Sequence, residues 1–227
     1  MDIKALLFDV FGTVVDWRTS LIDEFAGAHP GVDWPGLVDA WRGAYAPSMD
    51  RVRKGELAWT NLDTLHRQSL EVLAPRFGLV DVDFDHMVRG WHRLAPWPDS
   101  VAGLTRLKAG FVISPLSNGN VALLVNMAKR AGLPWDLVLS AETFRHYKPD
   151  PETYLGAAAL LGLEPGQVML CAAHNADLAA AKACGLRTAF IARPTEYGPG
   201  QDRDFGPEAT WDYAVESIPA LAEALGV

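Results

Sequence analysis

The sequence is poor in cysteine and in positive charge, and both shortages narrow the classes of protein that it can encode. Only two cysteines occur among 227 residues, Cys171 and Cys184, too few for a disulfide framework or a paired CxxC metal site. We therefore expect a reducing, cytoplasmic setting in which both thiols are small core groups. Lysine and arginine total 20 against 28 aspartates and glutamates, and no basic stripe is present, so we expect no nucleic-acid partner.

Long apolar runs are also missing, although 49% of the residues are hydrophobic. No stretch approaches the ~20 apolar residues of a membrane span, and the run before Asp9 is too short for a signal peptide. We therefore expect a soluble protein without a membrane partner. The length and composition suit one compact catalytic domain, or a core domain with a smaller insertion.

The chain does contain a series of short apolar runs separated by helix-like stretches. The predicted strands are 3–8, 111–116, 137–139, 168–171 and 188–191. Helical character is found between them, for example at 121–131 and 176–184. This alternation predicts an α/β fold, a Rossmann-like parallel sheet with helices on both faces. Ligands of such folds bind at the carboxyl ends of the strands.

The segment 17–94 has a different pattern, with helical spacing of apolar residues such as Leu37 and Trp41 and no convincing strand. We predict a helical cap domain at 17–94, inserted after the first strand into a catalytic core formed by 1–16 and 95–227. Because the insertion directly follows that strand, it should cover the strand's end as a lid.

Four short segments bring polar groups to the ends of the predicted strands of the core. They are Phe8-Asp9-Val10-Phe11-Gly12-Thr13, Leu116-Ser117-Asn118-Gly119-Asn120, Tyr147-Lys148-Pro149-Asp150 and Ala172-Ala173-His174-Asn175-Ala176-Asp177. Each segment alone is typical of a turn or a helix cap. Turns are a poor explanation for all four together.

In this order and spacing, the four segments resemble those of the haloacid dehalogenase superfamily, and the resemblance extends over essentially the whole chain. Members of that superfamily carry a nucleophilic Asp after the first strand, a Ser or Thr after the second, a Lys, and a final acidic motif. The corresponding residues here are Asp9, Ser117, Lys148 and Asp177. The resemblance implies hydrolytic chemistry at Asp9.

At two positions this chain has a different type of residue from the phosphatases of that superfamily. Phosphatases have an Asp two residues after the nucleophile, where this chain has Phe11, and a magnesium-binding acidic residue where it has Ala172. A hard divalent cation requires several oxygen ligands. We therefore predict no metal and no other cofactor. A magnesium-dependent phosphatase or phosphonate hydrolase is the alternative, and a non-catalytic binding relative is a third hypothesis that the presence of both Asp9 and Lys148 disfavours.

The chain is more similar to the (S)-2-haloacid dehalogenase branch. That branch has an aromatic residue at the position of Phe11 and a Trp-Arg pair early in the lid, matched by Trp41 and Arg42, and Tyr154 follows Lys148 in its KPDPxxY pattern. The resemblance implies hydrolysis of small (S)-2-haloacids such as haloacetates and 2-halopropionate. Water would be the second substrate, and an aspartyl ester the intermediate.

This reaction predicts a role for each candidate residue. Asp9 is the predicted nucleophile, kept ionised by Lys148, and Asp177 is the predicted base that activates the hydrolytic water, unless it only caps a helix. Thr13 and Asn175 are predicted to position these groups. The predicted substrate contacts are the backbone N–H groups of Val10 and Phe11 with Ser117 for the carboxylate, Arg42 and Asn118 for the halide, and Trp59, Tyr154 and His174 as further pocket residues.

His174 departs from the better-known dehalogenase pattern, which reads Ser-Asn-x-Trp-Asp where this chain reads Ala-His-Asn-Ala-Asp. It is either a donor in the halide pocket, an orienting group for water, or a histidine satisfied by a nearby carbonyl. A compact, donor-rich pocket would suit fluoride, so we expect slow fluoroacetate hydrolysis. The tryptophan- and leucine-rich lid favours a homodimer, since such an insertion often exposes an apolar face.

Overall fold

We describe residues 2–227 in a computed structural model of the chain. Along the sequence the strands are β1 (Ala5–Phe8), β2 (Val15–Asp16), β3 (Ala95–Pro96), β4 (Val112–Ser117), β5 (Leu139–Ser140), β6 (Val168–Ala172), β7 (Arg187–Ile191) and β8 (Tyr213–Val215). Six of them form one sheet in the order β5-β4-β1-β6-β7-β8, in which every neighbouring pair is parallel. The predicted α/β, Rossmann-like fold class is confirmed.

Helices cover both faces of this sheet. They are α6 (Ser100–Lys108), α7 (Val121–Ala131), α8 (Ala141–Phe144), α9 (Pro151–Leu160), α10 (Asn175–Ala183) and α11 (Ile218–Ala224), numbered after the five helices of the 17–94 segment. Leu6 and Phe8 of β1 share one apolar core with α6, α7 and α11, whereas Ala5 and Leu7 share another with α9 and α10. Because both faces are buried, β1 is apolar at every position rather than at alternate ones.

The segment between β2 and β3 is built from short helices. They are α1 (Trp17–Ala26), α2 (Trp34–Gly43), α3 (Tyr45–Arg53), α4 (Leu62–Leu73) and α5 (Phe84–Val88). Side-chain oxygens of Asp16 and Asn61 accept hydrogen bonds from the first turns of α1 and α4 and so set where these helices begin. No helix within residues 2–227 is long and apolar enough to cross a membrane.

Four strands differ from the sequence predictions. The predicted run at 137–139 forms a strand only from Leu139, and β8 was not predicted because it is a short edge strand without a buried residue. The antiparallel pair β2 and β3 aligns Val15 with Pro96 and Asp16 with Ala95, which brings the two ends of the 17–94 segment together. The division into core and cap domains stays a prediction.

Aromatic packing joins the helical segment to the end of β1. The ring of Trp91 lies 5.6 Å from that of Phe11 and 5.5 Å from that of Trp41, both edge to face, and all three side chains are buried. This contact holds α2, and with it Arg42, over the loop that follows β1.

Candidate active site

A cavity of about 310 Å³ opens beside the carboxyl end of β1. Its wall consists of Asp9, Phe11, Arg42, Tyr45, Ala46, Met49, Asn118, Lys148, Pro149, Tyr154, His174, Ala176 and Asp177. The cavity therefore lies where a parallel α/β sheet places its ligands, with α2 and α3 forming the opposite side. It unites residues from all four of the polar segments.

Asp9 directly follows β1 and is 8% exposed. Its Oδ1 accepts a hydrogen bond from Lys148 Nζ at 2.9 Å, and its Oδ2 accepts one from Thr13 Oγ1 at 2.8 Å. Burial by itself would raise the pKa of Asp9, but the charges of Lys148 and His174 bring it well below its ordinary value. Asp9 is therefore a carboxylate at neutral pH.

Thr13 joins two of the loops at this edge of the sheet. Its hydroxyl donates to Asp9 and accepts a hydrogen bond from the backbone N–H of Ala173 at 2.9 Å. The loop after β1 is thereby tied to the loop after β6, and the Asp9 carboxylate is held in one orientation. This geometry supports the predicted positioning role of Thr13.

Lys148 lies between two carboxylates. Its Nζ is 2.9 Å from Asp9 Oδ1 and 2.5 Å from Asp177 Oδ2, and Tyr154 Oη donates to the other oxygen of Asp177 at 2.6 Å. Burial would lower the pKa of Lys148, yet Asp177 and Asp9 raise it above its ordinary value, so the side chain is a cation. With both oxygens occupied as acceptors, Asp177 is poorly placed to take a proton from water.

His174 bridges Asp9 and a third carboxylate, that of Glu196. Its Nδ1 is 3.1 Å from Asp9 Oδ2, and its Nε2 is 2.9 Å from Glu196 Oε2. Burial would lower the pKa of His174, but Glu196 and then Asp9 raise it well above 6.5. The carbonyl partner considered from the sequence is replaced by these two carboxylates.

Glu196 is a site residue that the sequence did not predict. It lies in the loop after β7, is 1% exposed, and also accepts a hydrogen bond from Trp17 Nε1 at 3.0 Å. Its surroundings in sequence, Arg-Pro-Thr-Glu-Tyr-Gly-Pro-Gly, are typical of a solvated loop. No local signal distinguishes it from an exposed glutamate.

Arg42, near the end of α2, points into the cavity from the side opposite the sheet. Its guanidinium carbon lies 4.3 Å from the centre of the Tyr45 ring, and its Nη1 is buried without a hydrogen-bond partner among residues 2–227. A buried guanidinium with unused donors is suited to an anionic ligand. Asn118 also lines the cavity, and its Oδ1 accepts a hydrogen bond from the backbone N–H of Lys148 at 2.7 Å.

Two predicted site residues are placed elsewhere. The Trp59 ring packs on that of Tyr147 at 4.8 Å and is not part of the cavity wall, whose apolar portion comes from Phe11 and Met49 instead. The Asn175 side chain turns away, because its amide donates to Asp204 and Gly206 and its Oδ1 accepts from Glu208 and Trp211. Neither side chain lines the cavity, and the predicted roles of Trp59 as a substrate wall and of Asn175 in positioning stay predictions.

Ser117 and Val10 lie beside the cavity without lining it. Ser117, at the end of β4, is fully buried, and its Oγ accepts a hydrogen bond from Gly119 N at 3.2 Å. Val10 is 1% exposed, and its carbonyl accepts a hydrogen bond from Val14 N at 2.9 Å. The binding of a substrate carboxylate by Ser117 and by the N–H groups of Val10 and Phe11 stays a prediction.

The parallel sheet, the helical insertion after β1, and the aspartate–lysine pair define a class of hydrolase. The chain belongs to the haloacid dehalogenase-like hydrolase family, which matches residues 3–185. The superfamily resemblance of the motifs is thereby confirmed.

Individual relatives narrow the similarity further. An (S)-2-haloacid dehalogenase of Xanthobacter autotrophicus is 30% identical over 203 residues, which are 84% of this chain and 76% of that protein. The solved structure of an L-2-haloacid dehalogenase is 53% identical, covers 98% of both chains and has a TM-score of 0.95. A defluorinating L-2-haloacid dehalogenase is 48% identical, with 99% of this chain and 96% of the other covered and a TM-score of 0.95.

Proposed function

We propose that this protein hydrolyses the carbon–halide bond of small (S)-2-haloacids, such as haloacetates and 2-halopropionate, and produces 2-hydroxyacids. The observation that carries this proposal is the ionised Asp9, held by Lys148 and Thr13 in a small cavity. It is faced by the guanidinium of Arg42, whose Nη1 has no hydrogen-bond partner among the described residues 2–227. A carboxylate nucleophile opposite a free cation is the arrangement that displacement on an anionic substrate requires.

In the first step, a carboxylate oxygen of Asp9 attacks the substrate carbon in line with the carbon–halide bond. The bonding electron pair leaves with the halide, and an ester forms between Asp9 and the substrate. Arg42 and Asn118 are the proposed halide donors, while Ser117 and the N–H groups of Val10 and Phe11 bind the substrate carboxylate. In-line displacement inverts the configuration at that carbon.

In the second step, water attacks the side-chain carbonyl carbon of the ester. The bond between the substrate carbon and its new oxygen is left intact, so the inversion of the first step is retained in the product. An (S)-2-haloacid therefore gives an (R)-2-hydroxyacid.

A halide-release assay tests this function on chloro-, bromo- and fluoroacetate and on both enantiomers of 2-chloropropionate. We expect chloride from the (S) enantiomer, an (R)-hydroxyacid product, and no release by Asp9→Asn, since an amide keeps the shape but is a poor nucleophile. Asp202→Asn, at an exposed aspartate, is the matched control and should keep full activity. Equal consumption of both enantiomers, retention of configuration, or an active Asp9→Asn enzyme would refute the proposal.

We further propose that the enzyme needs no metal. The two positions that hold the acidic partners in phosphatases are here Phe11, whose ring lines the cavity, and Ala172, which is buried in the sheet. Halide release is expected to continue unchanged in excess EDTA. An activity lost to EDTA and restored by magnesium would favour the phosphatase alternative.

Defluorination is a second proposed activity. His174, Arg42 and Asn118 bring several donors to one cavity of about 310 Å³, and strong donors are what the small, hard fluoride ion needs on leaving. The similarity to a defluorinating relative supports this activity. We expect fluoroacetate to react more slowly than chloroacetate because the carbon–fluorine bond is stronger, and a fluoride electrode measures the rate.

The remaining proposals concern the whole molecule. We infer a cytoplasmic homodimer whose catalytic core comprises 1–16 and 95–227 and whose cap comprises 17–94. Both cysteines are free, in keeping with a reducing compartment. Val72 and Val80 of the proposed cap are 61% and 70% exposed and would lie in a dimer interface.

A further inference from the structure

We propose that His174, polarised by Glu196, is the base that activates water for hydrolysis of the Asp9 ester, with Glu196 as its positioning residue. This inference rests on the proposed function, because it assigns the second step of that reaction. It assigns the role of base to His174 rather than to Asp177.

The imidazole of His174 contacts Asp9 through one nitrogen and Glu196 through the other. Nδ1 of His174 lies 3.1 Å from Oδ2 of Asp9, an atom bonded to the carbon that water must attack. On the other side of the ring, Nε2 lies 2.9 Å from Glu196 Oε2. A carboxylate on the far nitrogen orients the imidazole and stabilises the imidazolium that forms when the near nitrogen takes a proton.

The chain makes room for this carboxylate at Gly12. A side-chain carbon added to Gly12 would lie 2.1 Å from Glu196 Oε1, and the glycine has a φ of +90°, which other residues rarely adopt. Glu196 therefore occupies the space that a side chain at position 12 would fill. Trp17 Nε1 donates to the same carboxylate at 3.0 Å and helps to hold it in place.

The alternative base is already engaged. Asp177 accepts from Lys148 Nζ through one oxygen and from Tyr154 Oη through the other. Its carboxylate therefore faces Lys148 and Tyr154, whereas a base must face the attacking water. His174 lines the cavity, and ester formation releases its Nδ1 from the Asp9 charge.

The proton balance is complete without another reactant. At rest, His174 is protonated between Asp9 and Glu196. Formation of the ester removes the negative charge of Asp9, and Nδ1 then loses its proton to solvent. Nδ1 next takes one proton from the attacking water as its oxygen bonds to the ester carbon. The tetrahedral intermediate expels the hydroxyacid oxygen, which takes the second proton of that water, and Asp9 returns to a carboxylate beside protonated His174.

Several charged groups share this environment and set its titration. Asp9 and Glu196 contact the imidazole, and Lys148, Asp177 and Arg42 line the same cavity. Removing the charge of Glu196 takes away the main group that favours protonated His174 once Asp9 is esterified. The pKa of His174 in the ester enzyme should therefore fall.

The test is Glu196→Gln, studied with (S)-2-chloropropionate by rapid chloride release, by mass spectrometry of the quenched enzyme, and by the pH dependence of turnover. We expect a chloride burst of about one per active site, accumulation of an ester on Asp9, and steady-state turnover about 100-fold slower, the lower end of the range for a general base. The limb of the pH profile that reports His174 should move to lower pH. His174→Asn should likewise trap the ester.

Two further variants separate catalysis from folding. Glu196→Asp keeps the charge and should recover part of the turnover lost in Glu196→Gln. Glu142→Gln removes a charge from a partly buried glutamate of α8, which accepts a hydrogen bond from the first N–H of α7 and lies outside the cavity, and it should behave as wild type. A Glu196→Gln enzyme with a slowed burst, no trapped ester and an unmoved pH profile would overturn this inference. If wild type released no chloride from (S)-2-chloropropionate, the proposed function itself would be refuted.

Discussion

Lys148 is the residue that balances much of the negative charge of the site. Asp9, Asp177 and Glu196 are opposed by three cations. Lys148 contacts Asp9 and Asp177, and His174 contacts Asp9 and Glu196. Buried carboxylates this close together would repel each other strongly without these cations. The ammonium thus keeps Asp9 ionised inside a site that must also accept an anionic substrate.

Asp177→Asn tests whether Asp177 acts through Lys148 or as a base. The amide can still accept a hydrogen bond from Lys148 through its one oxygen, and its NH2 group can donate to the Tyr154 hydroxyl oxygen. Without the charge of Asp177, the ammonium interacts more strongly with Asp9 and makes that carboxylate less nucleophilic. We expect chloride release about tenfold slower, equivalent to about 1.4 kcal/mol in the barrier of the first step, and no trapped ester by mass spectrometry. A normal burst followed by ester accumulation would instead identify Asp177 as the hydrolytic base.

The loop between β7 and β8 depends on one side chain at the start of α10. Asn175 links α10 to Asp204, Gly206, Glu208 and Trp211 through both ends of its amide. Asn175→Ala leaves several of these groups unpaired, and we expect it to lower the free energy of unfolding by about 3 kcal/mol in urea titrations.

A matched control for that measurement is Asn126→Ala, which removes a single hydrogen bond to His92 and should cost about 1 kcal/mol. Because Asn175 does not face the cavity, its alanine variant should keep halide release per folded enzyme within about threefold. Full stability combined with lost activity would support the positioning role predicted from the sequence.

Helix α4 contains a buried histidine that has no charged or hydrogen-bonded partner on its ring. His66 stacks on Trp91 with ring centres 4.3 Å apart, both of its ring nitrogens lack partners within residues 2–227, and burial lowers its pKa to about 3. Below pH 6.5 the unfolded chain takes up a proton that the folded state refuses, so stability falls as the pH drops from 6.5 towards 3. At pH 5 the burial of unprotonated His66 lowers the free energy of unfolding by about 2 kcal/mol.

His66→Phe should remove that loss, since phenylalanine fills a similar volume and does not titrate. Chemical denaturation at pH 7 and pH 5 should show that the variant loses about 2 kcal/mol less than wild type between the two. His146→Phe, at a side chain 44% exposed, should follow the wild-type curve. Parallel curves for wild type and His66→Phe would mean that His66 is protonated in the fold.

For the whole molecule, the proposed homodimer can be tested directly by measuring the mass in solution. Sedimentation equilibrium should yield twice the chain mass of 24.7 kDa at micromolar concentration. Val80→Lys places a charge on the exposed apolar surface of the proposed cap and should shift the equilibrium to monomer, whereas Leu160→Lys, on the exposed face of α9, should not. A wild-type monomer at all concentrations would exclude the dimer.

The sequence by itself predicted the parts of this protein that depend on local pattern. Continuous apolar runs predict strands buried on both faces, and polar residues that follow such strands must meet, because parallel strands end at the same edge of the sheet. Asp9, Lys148 and Asp177 came together for this reason. The edge strand β8 lacked the apolar run on which that reasoning depends.

Only the tertiary structure decided how individual side chains are oriented and which distant residue completes the site. Asn175 and His174 are neighbours in sequence, yet one holds a loop and the other faces Asp9, because the start of α10 points successive side chains in different directions. Glu196 reaches His174 only because Gly12 has no side chain in its path. A contact between residues 12, 174 and 196 arises from the packing of three loops, and a linear pattern of residue types carries no signal for it.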